Sequence, residues 1–243
     1  MTARLPTPSP EAKATVMPPL LRTLGLLLAL LATARADELG TRLSSYPPAY
    51  LEMIRAAMHS FKAHDFDDAI KQVDRADLLF QVTPVALNIR GAIAIEQKKY
   101  DEGRDLCLRA LKADPNFYPA RFNLCEIPFV QGKYREARAL FRSLIESYPK
   151  DDLIKFRIYL TFLLEKDDDA AQQQRDHTPF IGDSPVYYYI QAAWEFAHDN
   201  PDAAKTWLEK GNYVFPPGKH YNYIDVFYDL GWVKRPTPGG DAE

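Results

Sequence analysis

The sequence predicts an all-α protein, an α-α superhelix in which about five helix pairs stack on one another and a further helix caps the C-terminal end. The main observation is an internal repeat: segments 97–115 and 131–149 align without gaps, and Pro115 and Pro149, which end them, lie 34 residues apart. This period is typical of solenoids built from helix pairs. In addition, apolar residues recur at helical spacing within each half of the repeat, and prolines separate neighbouring helices.

The N-terminal end has the pattern of a secretory signal peptide. Arg22 precedes the apolar run 24–32, and the small-residue site 34–36 follows it. We therefore expect export to the periplasm or secretion, with cleavage at the end of that site. The run is shorter than the roughly 20 residues that span a bilayer, so an uncleaved membrane anchor is the alternative and the only case in which we expect membrane association. The proline-rich lead 1–19 is predicted to be disordered, and either Met1 or Met17 can be the start.

The first helix pair follows a short linker. Apolar residues at helical spacing predict a first helix over 49–63, and His64 and Asp65 end it. The second helix begins at Phe66, which lies 34 residues before Tyr100 and opens with the same aromatic and acidic pattern. A third copy of the repeat therefore precedes the two that align most clearly.

The middle units contain explicit helix start and stop signals. Thr83 followed by Pro84 is a cap with proline in the first turn, and Gly132 can end a first helix. Farther along, Asp167 to Asp169 can cap a short helix, because carboxylates are favoured at a helix N-terminus. Asn200 and Pro201 open another helix, which Gly211 is expected to end.

The predicted organisation follows the chain in order. It comprises a signal peptide at 1–36, a linker at 37–48, a solenoid at 49–235 with units at about 50–83, 84–117, 118–151, 152–184 and 185–218 and a cap at 219–235, and a disordered tail at 236–243. The helix over 221–230 is expected to cover the open end, since the terminal units of a solenoid are atypical.

With these features the chain resembles a tetratricopeptide repeat (TPR) protein, whose fold is a right-handed solenoid. The resemblance implies that small residues lie where two helices approach most closely, namely Ala57, Gly91 and Cys125 in first helices and Ala69, Gly103 and Ala137 in second helices. The unit at 152–184 departs from the family pattern and is degenerate, because Tyr159 stands at a small position.

Two cysteines, Cys107 and Cys125, are expected on helices that pack together. In an exported protein they can form a disulfide. The alternative is that both are small, buried apolar residues, as free cysteines often are.

Charge and motifs exclude several function classes. The formal net charge is −3; residues 1–36 contain four basic and one acidic side chain, which leaves −6 for the mature chain and argues against nucleic-acid binding. The sequence contains no phosphate-binding loop, dinucleotide fingerprint, metalloprotease motif or nucleophile elbow. We therefore expect no enzyme activity, no cofactor, no metal and no small-molecule substrate.

The resemblance also implies a binding surface, since first helices line the concave wall of such a solenoid. The residues expected to face a bound peptide are Asn88, Phe122, Glu126, Phe129, Phe156, Tyr189 and Phe196. An aromatic groove suits a peptide or protein segment with apolar anchors. In the alternative, tight curvature buries these side chains against each other, because a helical aromatic stripe is usually core.

The sequence thus predicts a non-catalytic adaptor of the cell envelope that binds a protein or peptide partner in its concave groove. The alternative is a structural subunit that associates with itself through aromatic surface residues.

Overall fold

The computed structural model describes residues 46–180 and 182–235. Within these residues the chain forms eleven α-helices and no strand, which confirms the predicted all-α fold class. The helices are α1 (Pro48–Lys62), α2 (Phe66–Leu79), α3 (Pro84–Glu96), α4 (Tyr100–Ala113), α5 (Tyr118–Val130), α6 (Tyr134–Ser147), α7 (Asp152–Leu164), α8 (Asp168–Asp176), α9 (Val186–Ala197), α10 (Pro201–Val214) and α11 (Tyr221–Asp229). A 3-10 turn, Pro217–Lys219, precedes the last of them.

The helices are organised as five consecutive pairs. The first helices α1, α3, α5, α7 and α9 each pack against the helix that follows, and each pair also packs against the next pair along the chain. The buried apolar residues of all five pairs form one continuous core. This is the stacking expected of a solenoid, in which each unit buries its apolar face only by contacting its neighbours.

The turn inside each pair has the same backbone conformation. One residue in each turn has a positive φ: His64 (58°), Lys98 (62°), Gly132 (73°), Lys166 (61°) and Asp199 (57°). These positions are 34, 34, 34 and 33 residues apart. The unit at 152–184 therefore keeps the turn geometry of the regular repeats although its sequence is degenerate.

The small residues lie where helices contact each other. A Cβ added to Gly103 would lie 3.0 Å from the carbonyl oxygen of Gly91 and 2.5 Å from Cγ1 of Ile95, so the backbones of α3 and α4 are almost in contact. The other small positions are also buried, namely Ala57, Ala69, Cys125 and Ala137.

Gly211 does not end α10, as we expected from its residue type; the helix continues to Val214. A Cβ at Gly211 would lie 3.1 Å from Cβ of Tyr188 on α9. The glycine therefore allows α9 and α10 to approach closely, and the prediction of a helix end there is wrong. A local helix-stop signal and a packing requirement look alike in sequence.

Several predictions fall outside the described residues, namely the signal peptide, the proline-rich lead, most of the linker and the tail at 236–243. In the part of the chain that the structure does describe, no helix combines the length and the apolar character needed to cross a membrane.

Candidate interaction surface

The side of the solenoid that the five first helices share is here called the inner face, and α11 lies on it. The aromatic ring of Phe156 on α7 is 5.4 Å from the ring of Tyr223, and Tyr189 on α9 stacks on the same tyrosine at 5.2 Å. At the opposite end of the solenoid, Nζ of Lys62 on α1 lies 5.0 Å above the ring of Tyr221. A single helix therefore contacts both the first and the last helix pair.

We expected α11 to cover only the open end of the last unit, and its position on the inner face is different. The reason lies in its sequence: Tyr223 and Phe227 are four residues apart and so project from one side of the helix. The ring of Phe227 packs within 6.1 Å of Phe156, 5.5 Å of Tyr189 and 5.6 Å of Phe196. On this side the two rings contact the aromatic residues of α7 and α9.

All seven residues predicted to contact a peptide are buried. Their exposed fractions are 0% for Asn88, 3% for Phe122, 1% for Glu126, 2% for Phe129, 0% for Phe156, 2% for Tyr189 and 9% for Phe196. The structure thus has the arrangement of the alternative reading, in which these side chains are part of the core. A partner can contact them only if the covering side chains move.

Two different contacts cause this burial. Phe122 and Phe129 pack within their own helix pair, with ring centroids 5.4 Å from Phe141 and 5.6 Å from Tyr134. Phe156, in contrast, is covered by rings of α11. The middle units bury their aromatic residues locally, whereas the C-terminal units depend on α11.

A buried ion pair joins α5 and α7 on this face. Nε of Arg157 donates a hydrogen bond of 2.7 Å to Oε1 of Glu126, and the two side chains are 4% and 1% exposed. The guanidinium carbon lies 5.8 Å from the ring centroid of Phe129 and 5.9 Å from that of Phe122. Burial raises the pKa of Glu126, and the charge of Arg157 opposes that rise. Arg157 is not among the residues predicted from the sequence, because nothing in its local sequence indicates a buried partner 31 residues away.

Polar atoms with unused hydrogen-bonding capacity lie along the same face. Asn123 donates a hydrogen bond from Nδ2 to Oδ1 of Asn88 at 2.9 Å. Nδ2 of Asn88 and Oδ1 of Asn123 take no part in this hydrogen bond. These two atoms, Oε2 of Glu126 and Nη1 of Arg157 are buried and have no hydrogen-bond partner among the described residues. Two donors and two acceptors are thus available on the first helices α3, α5 and α7.

The segment after α11 fastens the helix through Arg235. Its Nη1 donates to Oδ1 of Asp225 at 2.7 Å and its Nη2 to Oδ1 of Asp229 at 3.1 Å. Both carboxylates are almost fully buried, whereas the arginine is 29% exposed.

Burial lowers the pKa of His64 in the α1–α2 turn, and the positive charge of Arg235 lowers it further. The charge of Asp225 on α11 thus acts on both Lys62 and His64 of the first pair.

A second surface, here called the α10 surface, exposes aromatic residues to solvent. Phe180 is 61% exposed, Tyr213 93% and Val214 54%. With Tyr188, Trp207, Glu209 and Lys210 they line an open groove of about 610 Å³. Nζ of Lys210 lies 4.2 Å above the ring of Trp207. Tyr189 and Phe196 on α9 were predicted to contact a peptide, whereas the structure buries both and exposes Phe180 and Tyr213.

Cys107 and Cys125 are both free thiols and both buried, so the structure does not contain the disulfide that the sequence left open. Sγ of Cys125 is 3.3 Å from the carbonyl oxygen of Arg121 in its own helix. Burial raises the pKa of each thiol to about 12, so both are protonated at neutral pH. Among residues 46–180 and 182–235, no three His, Cys, Asp or Glu side chains lie close enough together to hold a metal ion.

Comparisons with known proteins agree with this architecture. Two family models described as tetratricopeptide repeat match residues 54–116 and 94–155. The structure is similar to the crystal structure of a tetratricopeptide repeat protein from Parabacteroides merdae ATCC 43184, with a TM-score of 0.57 and 14% sequence identity, over 81% of this chain and 78% of that chain. No curated protein matches the sequence. Such repeats generally mediate protein–protein interactions, and their fold is typically non-catalytic. Residues 54–155 of this chain are therefore tetratricopeptide repeats, and the helices around them extend the same type of helical solenoid.

Proposed function

We propose that the protein is a non-catalytic adaptor of the cell envelope, and that it binds a segment of a partner protein on the inner face of its solenoid. The observation that carries this proposal is the position of α11, since the inner face already accommodates one amphipathic helix against α1, α7 and α9. Binding of an amphipathic helix in an apolar groove is a common mode of protein recognition. The general role of tetratricopeptide repeats supports the same class of function.

The envelope location rests on the N-terminal sequence. An arginine, a short apolar run and a small-residue site precede residue 37 in the order typical of a cleaved signal peptide. We expect N-terminal sequencing of the exported protein to begin at Asp37. An exported chain that still begins at Met1 or Met17 would contradict cleavage and would favour the membrane-anchored alternative.

Site-specific photo-crosslinking in the native cells tests the adaptor proposal. We suggest placing p-benzoylphenylalanine at Lys62, which lies on the inner face beside α11, and at Arg109 on α4 as the control, which is 56% exposed and far from α11 in the helix order. The adaptor proposal predicts that one envelope protein is captured from position 62 and is absent from position 109. Equal capture from both positions, or capture from neither, would refute inner-face binding.

Self-association is the second candidate, and the α10 surface favours it. A contiguous exposed apolar patch on a folded protein often marks an interaction site, and Phe180, Tyr213 and Val214 form such a patch. If the protein associates with itself, light scattering of the mature chain should give the mass of a dimer or larger oligomer. The double substitution Phe180→Ser and Tyr213→Ser should return it to a monomer. A wild-type chain that is already monomeric would rule this candidate out.

A further inference from the structure

We infer that α11 occupies the partner's binding site, so that the partner is an amphipathic helix with aromatic residues one turn apart on one side and carboxylates on another, and that it binds by displacing α11. This inference rests on the adaptor function proposed above, because it concerns the same inner face. It adds the chemical class of the partner and the regulation of access to the site.

The aromatic side of α11 defines the first requirement for a competing helix. Tyr223 and Phe227 pack on Phe156 and Tyr189, which are fully buried by this contact. Trp232, just beyond α11, stacks on Phe196 with ring centroids 5.6 Å apart. A replacement helix must cover the same rings, so it needs two aromatic residues at positions i and i+4.

The acidic side of α11 defines the second requirement. Asp225 and Asp229 project from the helix side opposite to the aromatic pair. The charge of Asp225 acts on Lys62 and His64 of the first helix pair, and Nζ of Lys62 lies 5.0 Å above the neighbouring ring of Tyr221. In the intact chain Arg235 also binds these two carboxylates. A partner with a carboxylate at the same place finds the charge of Lys62, whereas a helix with a basic residue there would meet a like charge.

Unused hydrogen-bonding capacity on α3, α5 and α7 offers a partner contacts that α11 does not make. The buried atoms Nδ2 of Asn88, Oδ1 of Asn123, Oε2 of Glu126 and Nη1 of Arg157 have no hydrogen-bond partner among the described residues while α11 is in place. Burial of an unpaired polar group costs free energy. A partner whose polar groups form hydrogen bonds with these atoms removes that free-energy cost, which α11 does not do.

The connection to α10 permits such an exchange. Pro216, Pro217 and Gly218 form a short non-α link between α10 and α11, and a Cβ at Gly218 would contact nothing within 4 Å. Gly218 itself is therefore open, and the link is held by its neighbours, Lys219 at Asp183 and His220 at Tyr189. Arg235 is the main polar fastening of the far end, and it is accessible to solvent.

The test uses a fluorescent synthetic peptide of residues 217–235 and the mature full-length chain. We expect Arg235→Ala to raise the affinity for the peptide about tenfold over wild type in fluorescence anisotropy, because loss of two charge-assisted hydrogen bonds increases the fraction of chains with an open inner face. Arg90→Ala is the matched control: Arg90 also pairs with two aspartates, Asp74 and Asp77, each at 2.7 Å, but away from α11. This control should bind the peptide as weakly as wild type.

A second peptide and a second measurement keep the inference falsifiable. The peptide with Tyr223→Ser and Phe227→Ser should not bind either chain. If Arg235→Ala does not fold, the wild-type chain with an excess of isotope-labelled peptide should show raised deuterium uptake in its own residues 221–229. Equal binding of both peptides, equal affinity of folded Arg235→Ala and wild type, or unchanged deuterium uptake would each overturn the displacement of α11.

The outcomes also separate this inference from the adaptor proposal. If the peptide exchanges with α11 but position 62 captures no envelope protein, α11 is displaceable and the adaptor proposal fails. If position 62 captures a protein equally well with and without Arg235→Ala, the adaptor proposal stands and competition with α11 is refuted.

Discussion

At the scale of single residues, the turn inside each helix pair requires a backbone conformation that most residues avoid. Five residues at nearly constant spacing have φ between 57° and 73°, and only one of them, Gly132, is a glycine. A left-handed conformation costs an ordinary residue about 1 kcal/mol. His64, Lys98, Lys166 and Asp199 tolerate it because the helix packing on both sides of the turn determines the path of the chain.

Substitution of the glycine measures this cost directly. We expect Gly132→Ala to lower the free energy of unfolding by about 1 kcal/mol, and the effect should come from the backbone alone, since an added Cβ contacts nothing within 4 Å. Gly218→Ala is the control, because that site is equally open and has no positive φ. Urea denaturation of both variants checks the prediction. A Gly132→Ala chain as stable as Gly218→Ala would contradict it.

His64 combines the strained turn with a charge environment. Its pKa is lowered from the ordinary value of 6.5, first by burial and then by Arg235. Between the lowered value and 6.5 the unfolded chain binds more protons than the folded chain, so folding is less favourable as the pH falls through this range. The stability contribution is complete above pH 6.5 and decreases below it.

We therefore expect the wild-type chain to lose more stability between pH 7 and pH 5.5 than His64→Asn. Asparagine is a suitable replacement because it tolerates the left-handed conformation and does not titrate. Urea midpoints at the two pH values provide the measurement, and the pH dependence of wild type minus that of the variant isolates the histidine. An identical pH dependence in both chains would show that His64 is not involved.

At the scale of elements, α11 covers the inner face of the C-terminal units, so that the side chains there are part of the core. Phe156, on α7, has no exposed area, and its ring neighbours are Tyr189, Tyr223 and Phe227. Substitution of Phe156 distinguishes the two interpretations. If the residue contacts a partner in the groove, the substitution weakens binding; if it belongs to the core, the substitution lowers stability.

We expect Phe156→Ala to cost about 3–5 kcal/mol of stability, the usual range for truncation of a buried phenylalanine. Phe180→Ala is the matched control, because that ring is 61% exposed. Circular dichroism melts should show a large fall in melting temperature for the first variant and almost none for the second. If the melting temperature of Phe156→Ala equals that of wild type, the ring is not part of the core and α11 does not cover it in solution.

At the scale of the whole molecule, α11 adds a connection that simple solenoids lack. In a repeat array each unit contacts only its neighbours, so stability is approximately a sum of local terms. Here Tyr221 contacts Lys62 on α1, across the whole solenoid. The first and last helix pairs are therefore coupled directly, and we expect both to open when α11 leaves the inner face.

Hydrogen exchange tests this coupling. We expect Tyr221→Ala to speed amide exchange in α1 (Pro48–Lys62), although the substitution lies far away along the chain. Tyr213→Ala, at a ring that is 93% exposed on the α10 surface, should leave α1 exchange unchanged. If α1 exchanges at the wild-type rate in both variants, α11 does not stabilise the first unit.

Local signals in the sequence were sufficient for the helix pairs. The repeat period, the Thr83 cap and the small residues at Gly91 and Gly103 all concern contacts within one unit or between neighbours, and their physical requirements are visible in a short window of sequence. The prediction that Gly211 ends a helix was wrong, because a glycine that allows close packing cannot be distinguished in a short window of sequence from one that ends a helix.

The sequence by itself determined the all-α class, the number of helix pairs and the register of the regular repeats, because these depend on periodicity and on contacts between adjacent units. Only the tertiary structure decided which aromatic residues are buried in the core and which are exposed to solvent. In the C-terminal units that choice depends on α11, whose rings meet residues of α7 and α9 and whose Tyr221 lies beneath Nζ of Lys62 on α1. Contacts between elements so far apart in the chain arise only when the solenoid curves, and the curvature is a property of all the helix pairs packed together.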